Sequence, residues 1–323
     1  MFLDCLLIIL GVVMVLRGAD RLTEGAAAIA RRMNVSEIVI GLTIVAAGTS
    51  APELFVSVVS ALNDTPDLAV GNVVGSNIMN TLLIVGVSAM VAPIVIRRST
   101  VRKDMPFTII ATLLLTVLCL DSFGKLSLAG NIISRVDGVL MLLGFALFMA
   151  YTFSMARKGG VEARGDDAPA EQLPVWKAAG FVLLGLAFLI VGSNLFVDSA
   201  TAVAEGLGVS QSIIGLTIVA GGTSLPELAT SVVAAKKGQS AIAIGNVIGS
   251  NVFNILLILG LTATICPMQI GGITLTDMAA MLFSVIVLWL FSFTKLKVER
   301  WEGAVLTLGY VAYTAWLLSQ IGG

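Results

Sequence analysis

The chain has 323 residues, of which 57% are hydrophobic and only 12% charged, with a net charge of −1 and a mean hydropathy of +1.01. Soluble domains carry about 25% charged residues because they need a wettable surface, so this composition excludes one and suits a chain facing lipid. No basic field points to nucleic acid, and the absence of histidine removes the usual transition-metal ligand and proton relay.

A helix needs about 20 apolar residues to cross the hydrocarbon core of a bilayer. In chain order, apolar runs between charged or turn-forming breaks predict ten spans, near 2–17, 38–61, 68–92, 106–121, 131–155, 175–198, 210–234, 240–265, 275–294 and 302–320. The first run follows Asp4 with no preceding Lys or Arg, and no small-x-small cleavage site comes after it. It reads as a retained span and not as a cleaved signal peptide. The first and fourth runs are short for a straight crossing, which predicts helices that continue past their charged ends. Cys5, Cys119 and Cys266 lie far apart in or at the ends of apolar runs and have no zinc or redox spacing. The hydrophilic stretch 157–174, with Gly159, Gly160, Asp166, Asp167 and Pro169, reads as a solvated cytoplasmic linker between two halves, 1–156 and 175–323.

Basic residues test this partition independently, because Lys and Arg concentrate in cytoplasmic loops. With the N-terminus outside, 17 of the 19 Lys and Arg fall in inside loops, and only Lys125 and Arg135 fall outside. That bias predicts both termini outside in a cell (inner or plasma) membrane.

Residues 41–53, GLTIVAAGTSAPE, recur at 215–227 as GLTIVAGGTSLPE with eleven of thirteen positions identical. Residues 71–80, GNVVGSNIMN, recur at 245–254 as GNVIGSNVFN with seven of ten identical, at the same offset of 174. Each half holds five predicted spans, an odd number, so the second copy enters the membrane from the opposite side. The predicted fold is an all-α membrane protein of ten transmembrane helices in two inverted five-helix repeats, an architecture of secondary transporters. Duplication kept for packing alone would not place the closest identity on polar residues inside the membrane.

Glu53 and Glu227 sit in otherwise apolar spans, each after a proline. An ionised carboxylate in the bilayer interior costs at least a few kcal/mol and calls for a partner. No span core offers a Lys or Arg, so a cation is the expected partner. Pro52 and Pro226 lack an N–H, which frees a backbone carbonyl one turn earlier, near Gly48 and Gly222, and predicts broken helices at the centre. Thr49 and Ser50 lie four and three residues before Glu53, as Thr223 and Ser224 do before Glu227. On the next span Asn72, Ser76 and Asn80 form a polar stripe, echoed by Asn246, Ser250 and Asn254. Any one such hydroxyl could simply bond a neighbouring helix; the symmetric set is the signal. Carboxylate, hydroxyl, amide and carbonyl oxygens are hard ligands, suited to calcium or alkali ions. The glycines of Gly71-Asn-Val-Val-Gly75 and Gly245-Asn-Val-Ile-Gly249 read as close helix packing.

The pattern GTS-x-PE followed by GN-x-x-GSN-x-x-N, present twice, resembles the two α-repeats of the sodium/calcium exchanger family over essentially the whole chain. The resemblance implies that broken helices enclose a cluster of cation sites, with alternating access by sliding of the first and sixth helices. It implies a calcium site of Glu53, Glu227, Thr49 and Thr223. Sodium sites would add Ser50, Ser76, Ser224, Ser250 and the carbonyls of Ala46 and Ala220, with Asn80 and Asn254 lining the central position. Some members carry Asp where this chain has Asn254, a departure that argues against potassium co-transport. The expected activity is exchange of calcium for sodium, with no cofactor, no nucleic acid, and lipid but no protein as partner. The alternatives are exchange of calcium or another divalent ion for protons at the same glutamates, and an ion channel. Inverted repeats favour a transporter over a channel, and neither a Ser/Lys dyad nor paired Asp at a span core supports an enzyme.

Overall fold

In the computed structural model the residues described here are 2–63, 65–120, 128, 130–158, 173–207 and 220–321. Most of the 157–174 linker, the start of the seventh predicted span and Lys125 lie outside them.

Two helices are far longer than the rest. Helix α1 runs Phe2–Arg32 and α7 runs Val175–Gly206, so α1 continues well past the charged end of its apolar run. At 1.5 Å per residue each is about 45 Å long, more than the ~30 Å hydrocarbon core. Between them come α2 (Glu37–Thr49), α3 (Ala51–Leu62), α4 (Pro66–Val91), strand β1 (Ile94–Val95), α5 (Met105–Leu118), strand β2 (Ile132–Ile133) and α6 (Arg135–Lys158). After α7 come α8 (Ala220–Thr223), α9 (Leu225–Lys236), α10 (Ser240–Ile265), β3 (Met268–Gln269), α11 (Leu275–Phe291), β4 (Lys297–Val298) and α12 (Arg300–Ile321). Among the described residues, five helices are long and apolar enough to cross a membrane, or six when α2 and α3, bent by 46°, are joined as one span.

Burial separates centre from rim. The most apolar stretch of α10 is 94% buried and that of α4 is 72% buried, against 22% for α1 and 17% for α6. Leu6, Ile9 and Leu10 on α1, and Leu143 and Leu147 on α6, stand exposed as lipid-facing side chains would. The polar motifs all lie on the central helices or at their breaks.

Glycine sets how α1 and α7 meet. A Cβ on Gly11 would lie 2.7 Å from the Gly192 carbonyl oxygen, one on Gly18 2.8 Å from that of Gly185, and one on Gly25 2.7 Å from that of Ala178. The two backbones therefore touch along an antiparallel seam that repeats every seven residues, with the Leu189 and Val182 side chains packed over Gly18 and Gly25. The second glycine pattern behaves the same way. A Cβ on Gly249 would lie 2.6 Å from Cβ of Ala46, and one on Gly245 3.1 Å from Cα of Gly41. This brings α10 hard against α2. The first-half pair Gly71 and Gly75 has no such close contact among the described residues.

Two small antiparallel ribbons tie the halves together. Strand β1 pairs with β4, Ile94 opposite Val298, and β2 pairs with β3, Ile133 opposite Met268. One face of each ladder is buried, with Ile94, Ile96, Ile133, Met268, Ile270 and Val298 at 2% exposure or less, while Val95 and Ile132 on the other face are exposed. No ribbon was legible in the sequence, because a two-residue strand leaves no periodicity to read.

The seam supports a stability test. Gly18→Leu should destabilise the protein by about 1–3 kcal/mol through overpacking against Gly185 and Leu189. Gly180→Leu should be neutral, since nothing lies within 4 Å of a Cβ there. Thermal unfolding in detergent checks this, and equal melting temperatures for the two variants would refute the close seam.

Candidate functional site

The central helices break where sequence and chemistry require. Ser50 (φ −82°, ψ 8°) separates α2 from α3, and Ser224 (φ −90°, ψ 7°) separates α8 from α9, each two residues before a proline without an N–H to donate. Glu53 and Glu227 consequently stand in the first turn of α3 and α9. The positive end of a helix dipole favours an ionised carboxylate there by about 0.3–1 kcal/mol. Both side chains are buried, at 1% and 0% exposure, and among the described residues no ion pair reaches either.

The hydrogen bonds cross between the halves. Ser50 Oγ donates to Glu227 Oε1 at 3.0 Å, and Ser224 Oγ donates to Glu53 Oε1 at 3.1 Å. Ser224 also lies 3.3 Å from Ser76 Oγ. Thr49 Oγ1 donates to Asn246 Oδ1 at 3.1 Å, across the glycine contact of α2 with α10. Asn72 Nδ2 reaches the Glu53 carbonyl at 3.4 Å and Ser57 Oγ at 3.2 Å. Asn246 repeats this to the Glu227 carbonyl at 3.4 Å and Ser231 Oγ at 3.0 Å.

Each glutamate leaves its second oxygen, Oε2, buried with no hydrogen-bond partner, and Asn80 and Asn254 leave Oδ1 in the same condition. A buried acceptor without a donor costs about 1–3 kcal/mol, more if charged. Four such oxygens, two of them carboxylate, suit a metal ion. Among the described residues no three His, Cys, Asp or Glu side chains gather as a metal group. The donor set is therefore two carboxylates with neutral oxygens around them, which fits calcium or sodium and not a transition metal.

Of the remaining expected residues, Thr49, Ser50, Ser76, Ser224 and Ser250 are buried, while Thr223 is half-buried. The Ala46 carbonyl accepts from Ser50 N at 2.9 Å, so its helical bond is kept, and Thr49 Oγ1 lies 3.4 Å from it. Ala220 opens α8. The Gly222 carbonyl, freed by Pro226, accepts from Ser193 Oγ of α7 at 2.6 Å. Wide π-helical turns begin at Asn80 (Asn80–Ile84) and just before Asn254 (Phe253–Leu259), a local widening common at functional sites.

Several residues were missed by sequence reasoning. Asn77 and Asn251 bond Asn254 and Asn80 across the halves. Their signal was present in the duplicated GSN, but a helical stripe drawn through Ser76 and Asn80 passes beside them. Three buried carboxylates also lie away from the centre among the described residues: Asp104 accepts from Tyr151 at 2.9 Å, Asp277 from Tyr313 at 2.7 Å, and Glu302 from Glu299 N at 2.7 Å.

The sequence matches the sodium/calcium exchanger protein family over residues 4–154 and 177–319. It is 39% identical to a putative antiporter, CaxA, of Alkalimonas amylolytica, covering 99% of this chain and 100% of that protein. It is 34% identical to the sodium/calcium exchanger MaX1 of Methanosarcina acetivorans, covering 95% of this chain and 96% of that one. The inner membrane protein YrbG of Escherichia coli is 36% identical over 98% of this chain and 97% of its own length. Among solved structures, the sodium-calcium exchanger NCX_Mj soaked with 2.5 mM Na+ and 0.1 mM Ca2+ superposes with a TM-score of 0.81 at 31% identity, covering 97% of this chain and 98% of that one. A helical membrane fold like that of NCX_Mj, two repeated acidic motifs and a family match spanning both halves lead to one conclusion: this chain belongs to the sodium/calcium exchanger family.

Proposed function

We propose that the protein is a secondary antiporter that moves calcium one way across the membrane in exchange for sodium, by alternating access to one central site. The observation that carries this reading is the set of four buried, unpartnered oxygens on Glu53, Glu227, Asn80 and Asn254. Two carboxylates neutralise one calcium or two sodium ions. The site therefore takes either cargo well but not both, and competition for the same charge is what couples the two fluxes. Glu53, Glu227, Thr49 and Thr223 are the proposed calcium ligands, and the carbonyls of Ala46 and Ala220 belong to the proposed sodium sites. Ser50, Ser76, Ser224 and Ser250 are the proposed additions for sodium, and Asn80 and Asn254 line the centre. No resident cofactor is needed, because the ions are themselves the cargo.

The proposed architecture is ten helices in two inverted five-helix repeats, 1–156 and 175–323, joined by a cytoplasmic linker at 157–174. Repeat-related contacts support it: Ser50 to Glu227 maps onto Ser224 to Glu53, and Asn72 to Ser57 maps onto Asn246 to Ser231, all at an offset of 174. The proposed orientation puts both termini outside a cell (inner or plasma) membrane. In that frame the inner half of α1 is sealed, with Leu22, Thr23 and every residue from Gly25 to Ala30 buried, and Lys237 bonds Asp20 and Thr23. The outer half of α7 is looser, with Asp198, Ala202, Glu205 and Gly206 exposed. Sliding of the α1/α7 pair along its glycine seam would switch access between the two sides of the membrane.

Sodium-loaded proteoliposomes should take up radioactive calcium only when sodium is free to leave. Glu53→Gln or Glu227→Gln should reduce uptake on the order of 100-fold or more, since calcium affinity follows ligand charge. Uptake that follows an imposed pH gradient and ignores sodium would establish the proton alternative. Near wild-type transport in either variant would remove the glutamates from the site.

Orientation has its own test. With the three native cysteines replaced, a cysteine at exposed Gly272 should react with an impermeant maleimide from outside, and one at exposed Lys236 only after permeabilisation. Labelling of position 236 in intact cells would overturn the inverted topology.

A further inference from the structure

An amide side chain can present either its oxygen or its NH2 group, and the two orientations have the same shape. Only the oxygen attracts a cation. The central Asn80 and Asn254 can serve an ion only if something forces that choice. The structure contains two hydrogen-bond relays that do so.

The first relay starts at Thr81, whose Oγ1 donates to the Asn77 carbonyl one turn back at 2.9 Å. A hydroxyl has one proton, so Thr81 can only accept from Asn251, whose Nδ2 lies 2.8 Å away. With its NH2 committed, Asn251 offers Oδ1, and Asn80 Nδ2 donates to it at 3.1 Å. Asn80 Oδ1 is left over, buried and unpartnered. The second relay starts at the Asn251 backbone carbonyl, which can only accept and takes Asn77 Nδ2 at 3.3 Å. Asn77 Oδ1 therefore accepts from Asn254 Nδ2 at 3.1 Å, and Asn254 Oδ1 is left buried and unpartnered.

We infer that Asn77 and Asn251 are positioning residues for ion binding, each reaching from one half to turn the central asparagine of the other half oxygen-first toward the cation. The inference rests on reading the centre as a cation site. Neither residue belongs to the ligand set proposed above. Both are almost fully buried, at 1% and 3% exposure. The relays are not copies of each other: the position 174 residues after Thr81 is Ile255, so Asn77 is anchored on a backbone carbonyl where Asn251 is anchored on a hydroxyl. A central amide released from its relay could present NH2 instead, which repels a cation and competes for the carboxylate lone pairs.

The pattern of coupling separates positioning from general support of the fold. In sodium-driven calcium uptake, Asn251→Ala should raise the calcium KM roughly tenfold, the usual scale for loss of a group that orients a metal ligand, with a much smaller change in kcat. Asn80→Ala combined with Asn251→Ala should be no worse than Asn80→Ala alone, because Asn251 acts through Asn80. Asn254→Ala combined with Asn251→Ala should multiply the two single effects. Asn77→Ala should show the reverse pairing, silent on top of Asn254→Ala and multiplicative with Asn80→Ala. Multiplicative effects in all four pairs would overturn the inference. Should Asn251→Ala not fold, Thr81→Val, of nearly the same shape, removes the group that orients Asn251. A raised calcium KM from Thr81→Val that disappears as an added effect on top of Asn80→Ala would uphold the relay, and an unchanged KM would overturn it. Wild-type vesicles that take up no calcium under a sodium gradient would overturn the exchange reading and this inference with it, whereas active wild-type protein with unpaired effects overturns the inference alone.

Discussion

Two carboxylates buried close together in a membrane, with no Lys or Arg among the described residues against either, carry an electrostatic cost that the rest of the structure is arranged around. Removing one carboxylate from water costs several kcal/mol, and a second nearby adds repulsion. Helix dipoles at the starts of α3 and α9 and the donated hydroxyls of Ser50 and Ser224 offset part of it. What they leave is the free energy that draws a cation in. Had the donors satisfied all four carboxylate oxygens, the site would be stable without cargo and bind it poorly. Leaving Glu53 Oε2 and Glu227 Oε2 unpartnered keeps the site dependent on an ion.

That dependence is distributed over both halves. Every strong bond to a glutamate side chain described above comes from the opposite repeat, so neither half holds a finished site. The departures from symmetry are equally informative. Ser193 bonds the freed carbonyl of Gly222, while the position 174 residues earlier is Ala19, which has no hydroxyl to offer Gly48. Lys237 clasps α1, while its counterpart position holds Asn63. The pseudo-symmetric scaffold thus carries one-sided contacts on its two longest helices, where the two ends of a transport cycle must differ in energy.

Much of this was legible in the sequence, and the exceptions have physical reasons. Apolar runs marked the helices because lipid admits little else, and the duplicated GTS-x-PE marked the breaks because proline removes a donor wherever it stands. The continuation of α1 was legible because its apolar run was too short for a crossing, and the helix does carry Arg17, Asp20, Arg21 and Glu24 out of the apolar layer toward water. The ligand stripe on α4 was visible as spacing along one helix. The role of Asn77 and Asn251 was not, since which face of a helix meets a partner is set by a crossing that sequence spacing does not encode.

The paired strands β1–β4 and β2–β3 have a mechanical meaning. Each joins a segment of one half to a segment of the other, and in the proposed topology one lies at each face of the bilayer. Extra backbone bonds lengthen both, Ile96 N to Leu296 O and Ile270 N to Asn131 O, each at 2.8 Å. Staples at both ends of a bundle suppress splaying and scissoring between its halves, leaving translation of unstapled members as the soft degree of freedom. The long helices α1 and α7 are outside both staples and meet along a seam of close backbone contacts at Gly11, Gly18 and Gly25. Compliance is thereby concentrated in two helices, and the ion-binding oxygens ride on the stiff remainder.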